Sequence, residues 1–119
     1  MRISRDAFKL AIGVSILLVM QVTHAQTECT EPEAPSIPDG SAASEQELVN
    51  TVAAFKYYQQ ELIDFRECLT TYEEELGEAI TLQQKRRVVR DYNESVETEE
   101  ALAVELNESI QAYKSANTG

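Results

Sequence analysis

From Leu48 onward the apolar residues fall into columns seven positions apart. Leu48, Phe55, Leu62, Leu69 and Leu76 form one column, and Tyr58, Phe65 and Tyr72 form an aromatic one beside it. After a break at Gly77 a second series follows, Leu82, Val89, Val96, Ala103 and Ile110, flanked by Tyr92, Leu106 and Tyr113. A seven-residue repeat keeps a single stripe of an α-helix apolar, and such a stripe is buried by packing on another helix.

The ends of both helices are marked by local chemistry. Ser44-Glu45-Gln46-Glu47 is a capping box, in which a hydroxyl and a carboxylate satisfy amide groups that the first helical turn leaves without partners. Thr81-Leu82-Gln83-Gln84 repeats the device, and Gly77 suits the position just past a helix end. These signals predict helix 1 over about 45–76, a turn over about 77–81 and helix 2 over about 82–115. With so short a turn, Leu76 falls opposite Leu82. Leu69 then pairs with Val89, Leu62 with Val96, Phe55 with Ala103 and Leu48 with Ile110. The expected fold is all-α: an antiparallel two-helix hairpin of coiled-coil type.

Residues 26–43 show no apolar periodicity and are rich in proline, serine and acids. Cys29, Pro32, Pro35 and Pro38 recur every third residue, the period of a polyproline II ribbon, so they share one edge. Pro38-Asp39-Gly40 reads as a turn. The ribbon from Cys29 to Ser44 covers about 46 Å at roughly 3.1 Å per residue. Ser44 to Cys68 is about 36 Å of helix at roughly 1.5 Å per residue. An extended leader running back along helix 1 therefore reaches Cys68 with slack for the turn. Cys29 and Cys68 are the only cysteines, and the pair predicts one intramolecular disulfide that staples the leader across Tyr58 and Phe65.

The N-terminus reads as a signal peptide over residues 1–25. Arg2, Arg5 and Lys9 precede an apolar run from Leu10 to Met20, which ends in Thr23-His24-Ala25. Eleven helical residues span only about 16 Å, roughly half a bilayer core, so no membrane anchor is expected once the segment is cleaved. Gln26-Thr27-Glu28 before Cys29 does not suit lipidation. The expected location is exported, periplasmic or secreted, where a disulfide persists.

Charge narrows the partners. The chain carries 10 Lys and Arg against 21 Asp and Glu, a net −11. Removal of residues 1–25 takes three bases and one acid with it and leaves −13. A surface this acidic repels phosphates, so nucleic acid is not an expected partner. Near the turn, Glu73, Glu74, Glu75 and Glu78 face Lys85, Arg86, Arg87 and Arg90 across the hairpin. Each cluster opposes its own helix dipole, but side by side they neutralise one another; an anion site built on the four bases is the alternative.

The residues for most site chemistry are missing. His24, the only histidine, lies in the signal segment, which leaves no His-based triad or His-ligated metal. Two distant cysteines cannot hold a cluster, and no glycine-rich loop introduces a phosphate site. No enzymatic role and no cofactor are expected. Glu97, Glu99, Glu100, Glu105 and Glu108 offer carboxylates but no looped calcium motif. Asp91-Tyr92-Asn93-Glu94-Ser95-Val96 resembles Glu105-Leu106-Asn107-Glu108-Ser109-Ile110 fourteen residues on. Asn93 and Asn107 are both N-x-S sequons on one helix face, although glycan transfer favours loops over helix interiors.

The C-x2-P-x2-P-x2-P-D-G leader from Cys29 to Gly40, Glu67-Cys68-Leu69 and Tyr92-Asn93 together resemble a loose group of small exported proteins of Proteobacteria with no assigned activity. The resemblance implies a periplasmic setting and a helical fold, and carries over no site residue.

The function expected is that of a structural or interaction protein of the envelope. Its partner would be another protein or a second copy, and a holdase for unfolded clients belongs to this class. Val49, Tyr57, Ile63, Val88 and Leu102 fall beside the seams, where a lone hairpin would leave several wet. The competing expectation is an acidic cation- or ligand-binding module.

Overall fold

Ser44 begins the first helix in the manner its neighbours dictate. Its hydroxyl accepts from the Glu47 amide at 3.2 Å, and the Glu47 carboxylate accepts from the Ser44 amide at 2.7 Å. The Ser44 amide, and then the Ser44 hydroxyl, hold the Glu47 carboxyl below its ordinary pKa. A computed structural model of the chain describes residues 29–118; the expected signal segment, residues 1–25, and Gln26 to Glu28 lie outside the described residues. Helix α1 spans Glu45–Leu76 and helix α2 spans Leu82–Asn117. The second helix opens with Thr81 and Gln84 exchanging the same pair of bonds, and it runs two residues past the expected end. Between the helices lies one 3-10 turn, Gly77–Ala79. Gly77 has φ of +49°, a conformation that disfavours any residue with a Cβ.

The two helices pack on one another, no strand occurs among the described residues, and the leader is bound by a disulfide between Cys29 and Cys68, their Cα atoms 5.7 Å apart. The chain is therefore an all-α hairpin with a stapled leader. Contacts follow the expected pairing along the axis, because Gln59 meets Glu99 and Glu73 meets Lys85. Both lie on the register that sets Leu76 opposite Leu82.

Rotation about the axis differs for α2. On α1 the expected stripe is buried: Leu48, Phe55, Leu62 and Leu69, with Tyr58 and Phe65 beside it. On α2 the expected column is displaced outward, with Leu82 66 % and Val89 50 % exposed, Ala103 exposed, and Val96 and Ile110 half-buried. The inner stripe is instead Val88, Ser95, Leu102 and Ser109, one residue earlier in the repeat, with Leu106 beside it. The rungs pairing Leu76 with Leu82, Leu69 with Val89 and Phe55 with Ala103 are thus corrected as apolar contacts. Val88 and Leu102, expected beside the seam, belong to it. The physical reason is volume. Helix α1 and the leader supply aromatic rings and prolines, so α2 approaches closely only by turning serines inward.

The leader follows a three-residue alternation. Cys29, Pro32, Pro35 and Pro38 are half-buried, while Thr30, Glu31, Glu33, Ala34 and Ser36 are exposed. Ile37 packs against the cluster of Phe55, Tyr58, Leu62 and Leu106. Burial, and then the charges of Glu31 and Glu99, raise the Tyr58 hydroxyl above its ordinary pKa. At the turn into α1 the Asp39 carboxylate accepts from both the amide and the hydroxyl of Ser41. The leader also reaches α2, a contact not expected from the chain pattern. There the Ser109 hydroxyl donates to the Pro38 carbonyl at 2.6 Å, and Gly40 lies buried on the Ser109 backbone.

Candidate functional site

The core is divided by a polar belt. On one side lie Phe55, Tyr58, Leu62 and Leu106, and on the other Phe65, Leu69 and Val88 with Cys29 and Tyr72. Between them the Arg66 guanidinium donates to the Ser95 hydroxyl at 2.8 Å and pairs with Glu99 at 2.7 Å. The second Glu99 oxygen accepts from Gln59 at 3.1 Å, and Arg66 sits over the Tyr92 ring at 6.0 Å. The Ser95 hydroxyl in turn donates to the Tyr92 carbonyl at 2.6 Å. Arg66 and Glu99 are only 15 % and 22 % exposed as side chains, yet no buried polar side-chain atom among the described residues lacks a partner.

The belt reinforces the register that the short turn selects. Heptads tolerate a slip of seven residues, but a slip would set the Arg66 guanidinium against apolar side chains near Leu102 and Leu106 and leave it without a carboxylate. A half-desolvated charge without its partner costs more than the pair contributes. We expect Arg66→Met to lower unfolding free energy by about 2 kcal/mol in urea titration, because Glu99 is stranded. The double variant Arg66→Met with Glu99→Leu should recover most of that loss. Equal stability of the single variant and the wild type would remove the belt's role.

No family model, curated protein or solved structure matches this chain. The candidate site therefore rests on geometry alone, and the geometry separates two sides of the hairpin. At about 100° per residue, Cys68 lies about 60° round from Phe65, and Ser109 about 60° round from Leu106 in the same sense. Both carry the leader. Ile63 lies about 100° the other way from Leu62, and Val89 about 100° the other way from Val88. In antiparallel helices these offsets put Ile63 and Val89 on one common side, away from the leader. That side is bare: Ile63 is 52 % exposed and Val49, which follows Leu48 in the same way, is 55 % exposed.

The remaining sequence candidates fall outside this arrangement or change meaning within it. Of the four bases near the turn, Lys85 approaches Glu73 only at 3.9 Å with both exposed, and Arg90 pairs with its neighbour Asp91. Such surface pairs contribute little. Arg86 and Arg87 form no ion pair among the described residues and, with Leu82, Gln83 and Arg90, line a shallow open depression without a carboxylate. Glu99 is turned inward to Arg66, and no three carboxylates among the described residues come together to hold a metal ion.

The internal repeat proves informative through its serines. Asn93 and Asn107 are exposed within α2, whereas Ser95 is fully buried and Ser109 is 7 % exposed. One serine takes the arginine of α1 and the other takes the leader. The signal was present as two small residues fourteen apart, in phase with Val88 and Leu102.

Proposed function

We propose that this chain is an exported, periplasmic interaction hairpin of the cell envelope, in the class that includes holdases for unfolded clients. The disulfide is consistent with an oxidising, exported location, and among the described residues no helix is long and apolar enough to cross a membrane. One observation carries the reading: the leader covers one side of the hairpin, and the opposite side keeps Leu82, Val89, Tyr92 and Ile63 wet, from 42 % to 66 % exposed. Apolar residues aligned along a rigid rod are a surface for docking a helix face. A photo-crosslinker at Val89 should capture protein in intact cells, whereas the same group at Ser36, on the outer edge of the leader, should not. Equal or absent capture at both positions would remove the support.

A further inference from the structure

We infer that the bare side of α2 pairs with the same side of a second copy of this chain, antiparallel and two-fold symmetric about Val96. The inference rests on the interaction reading above and names its partner. The apolar strip consists of the exposed Leu82, Val89 and Ala103 together with Val96 and Ile110, which are half-buried, and runs for about 42 Å at roughly 1.5 Å per residue. With Val96 facing Val96 of the second copy, Leu82 faces Ile110 and Val89 faces Ala103. Every rung is apolar.

Charge selects both the partner and its direction. Helix α2 is polar along its length in the electrical sense: Lys85, Arg86, Arg87 and Arg90 occupy its start, and Glu94, Glu97, Glu100, Glu105 and Glu108 occupy the rest. A parallel neighbour would set bases against bases. An antiparallel copy sets the basic start of each helix against the acidic end of the other. On the outer flank of the strip, Arg90 then lies beside Glu100 of the second copy, and symmetry doubles the pair. Within the monomer Arg90 pairs, among the described residues, only with the adjacent Asp91, and its side chain is 59 % exposed. An exposed pair between neighbours contributes little, so Arg90 can exchange Asp91 for Glu100 of the second copy. The symmetry closes, because each copy uses one patch and presents it once, so pairing stops at two.

Charge reversal tests this directly. Arg90→Glu, and separately Glu100→Arg, each place like charges across the two-fold. Sedimentation equilibrium of the purified protein should show a dimer for wild type and a monomer for each variant. An equimolar mixture of the two variants should restore the dimer, since every cross-pair is again opposite in sign. Circular dichroism confirms that each variant stays helical, and the mixing arm is immune to partial loss of stability. Val96→Lys, which sets two ammonium groups face to face, should weaken wild-type dimerisation by a hundredfold or more, roughly 3 kcal/mol at 1.4 kcal/mol per tenfold. A wild type that is monomeric at every concentration overturns the inference, as does a mixture that stays monomeric. If the monomeric wild type still captures a different protein through Val89 in cells, the interaction reading stands and only the identity of the partner fails.

Discussion

Cys68→Ser is expected to lower the thermal midpoint in oxidising buffer by on the order of 20 °C, the largest effect of any single substitution in this chain. The two cysteines are 39 residues apart in sequence, and closing a loop of that length removes on the order of 4 kcal/mol of freedom from the unfolded chain. For a domain under 100 residues, each kcal/mol moves the midpoint by roughly 4 to 8 °C. The core has little else to draw on. Among the described residues the buried hydrophobic side chains are Leu48, Phe55, Tyr58, Leu62, Phe65, Leu69, Val88 and Leu106. Several of these lie directly under the leader, so its release also wets them. Thermal melts followed by circular dichroism provide the measurement. Cys29→Ser should behave identically, and a reductant should bring wild type down to the variants; overlapping wild-type and variant curves before reduction would show that the staple contributes nothing.

Gly40→Ala should be the next most damaging change, at about 3 kcal/mol, near the top of the range for forcing extra volume into a packed site. A Cβ on Gly40 would sit 1.7 Å from the Ser109 carbonyl oxygen and 2.5 Å from its carbon. Those are backbone atoms in mid-helix and cannot swing aside. The turn must lift off α2 instead, losing the bond from Ser109 to the Pro38 carbonyl and the packing of Ile37 on the core. The substitution should matter less in a chain that already lacks the disulfide, because the leader is then partly released and the two losses share one cause. Urea titrations of the four chains of this double-mutant cycle decide the point. Strict additivity would mean that the turn and the staple act independently, and a neutral Gly40→Ala would mean that the contact does not form in solution.

Ser109→Ala at the same site separates the two components of that contact. It removes the hydrogen bond but keeps the small side chain, so a loss of only about 1 kcal/mol is expected. Replacement by a large residue would repeat the steric effect of Gly40→Ala from the other side.

Much of this architecture is legible in the sequence because its signals act over one or two turns of chain. The hydroxyl at Ser44 and the carboxamide at Gln84 cap whichever helix begins beside them. Gly77 relieves a strained dihedral where it stands, and the short turn after it leaves one axial pairing, the one that Gln59 with Glu99 and Glu73 with Lys85 display. The three-residue spacing from Cys29 to Pro38 likewise determines which edge of the ribbon meets the hairpin, and the reach of that ribbon determines which cysteine it can find.

What only the tertiary structure decided is how far α2 turns about its own axis. Two stripes on that helix repeat every seven residues, one richer in aliphatic side chains and one that contains Ser95 and Ser109. A hairpin of two helices alone would bury the first. The choice belongs to the leader and to Arg66, which are distant in sequence and together require small, hydrogen-bonding side chains where three elements converge. Periodicity measures how apolar a stripe is. It does not measure the space left for that stripe once bulky rings and prolines have been placed opposite, and that space set the rotation of α2 and left Leu82 and Val89 facing outward.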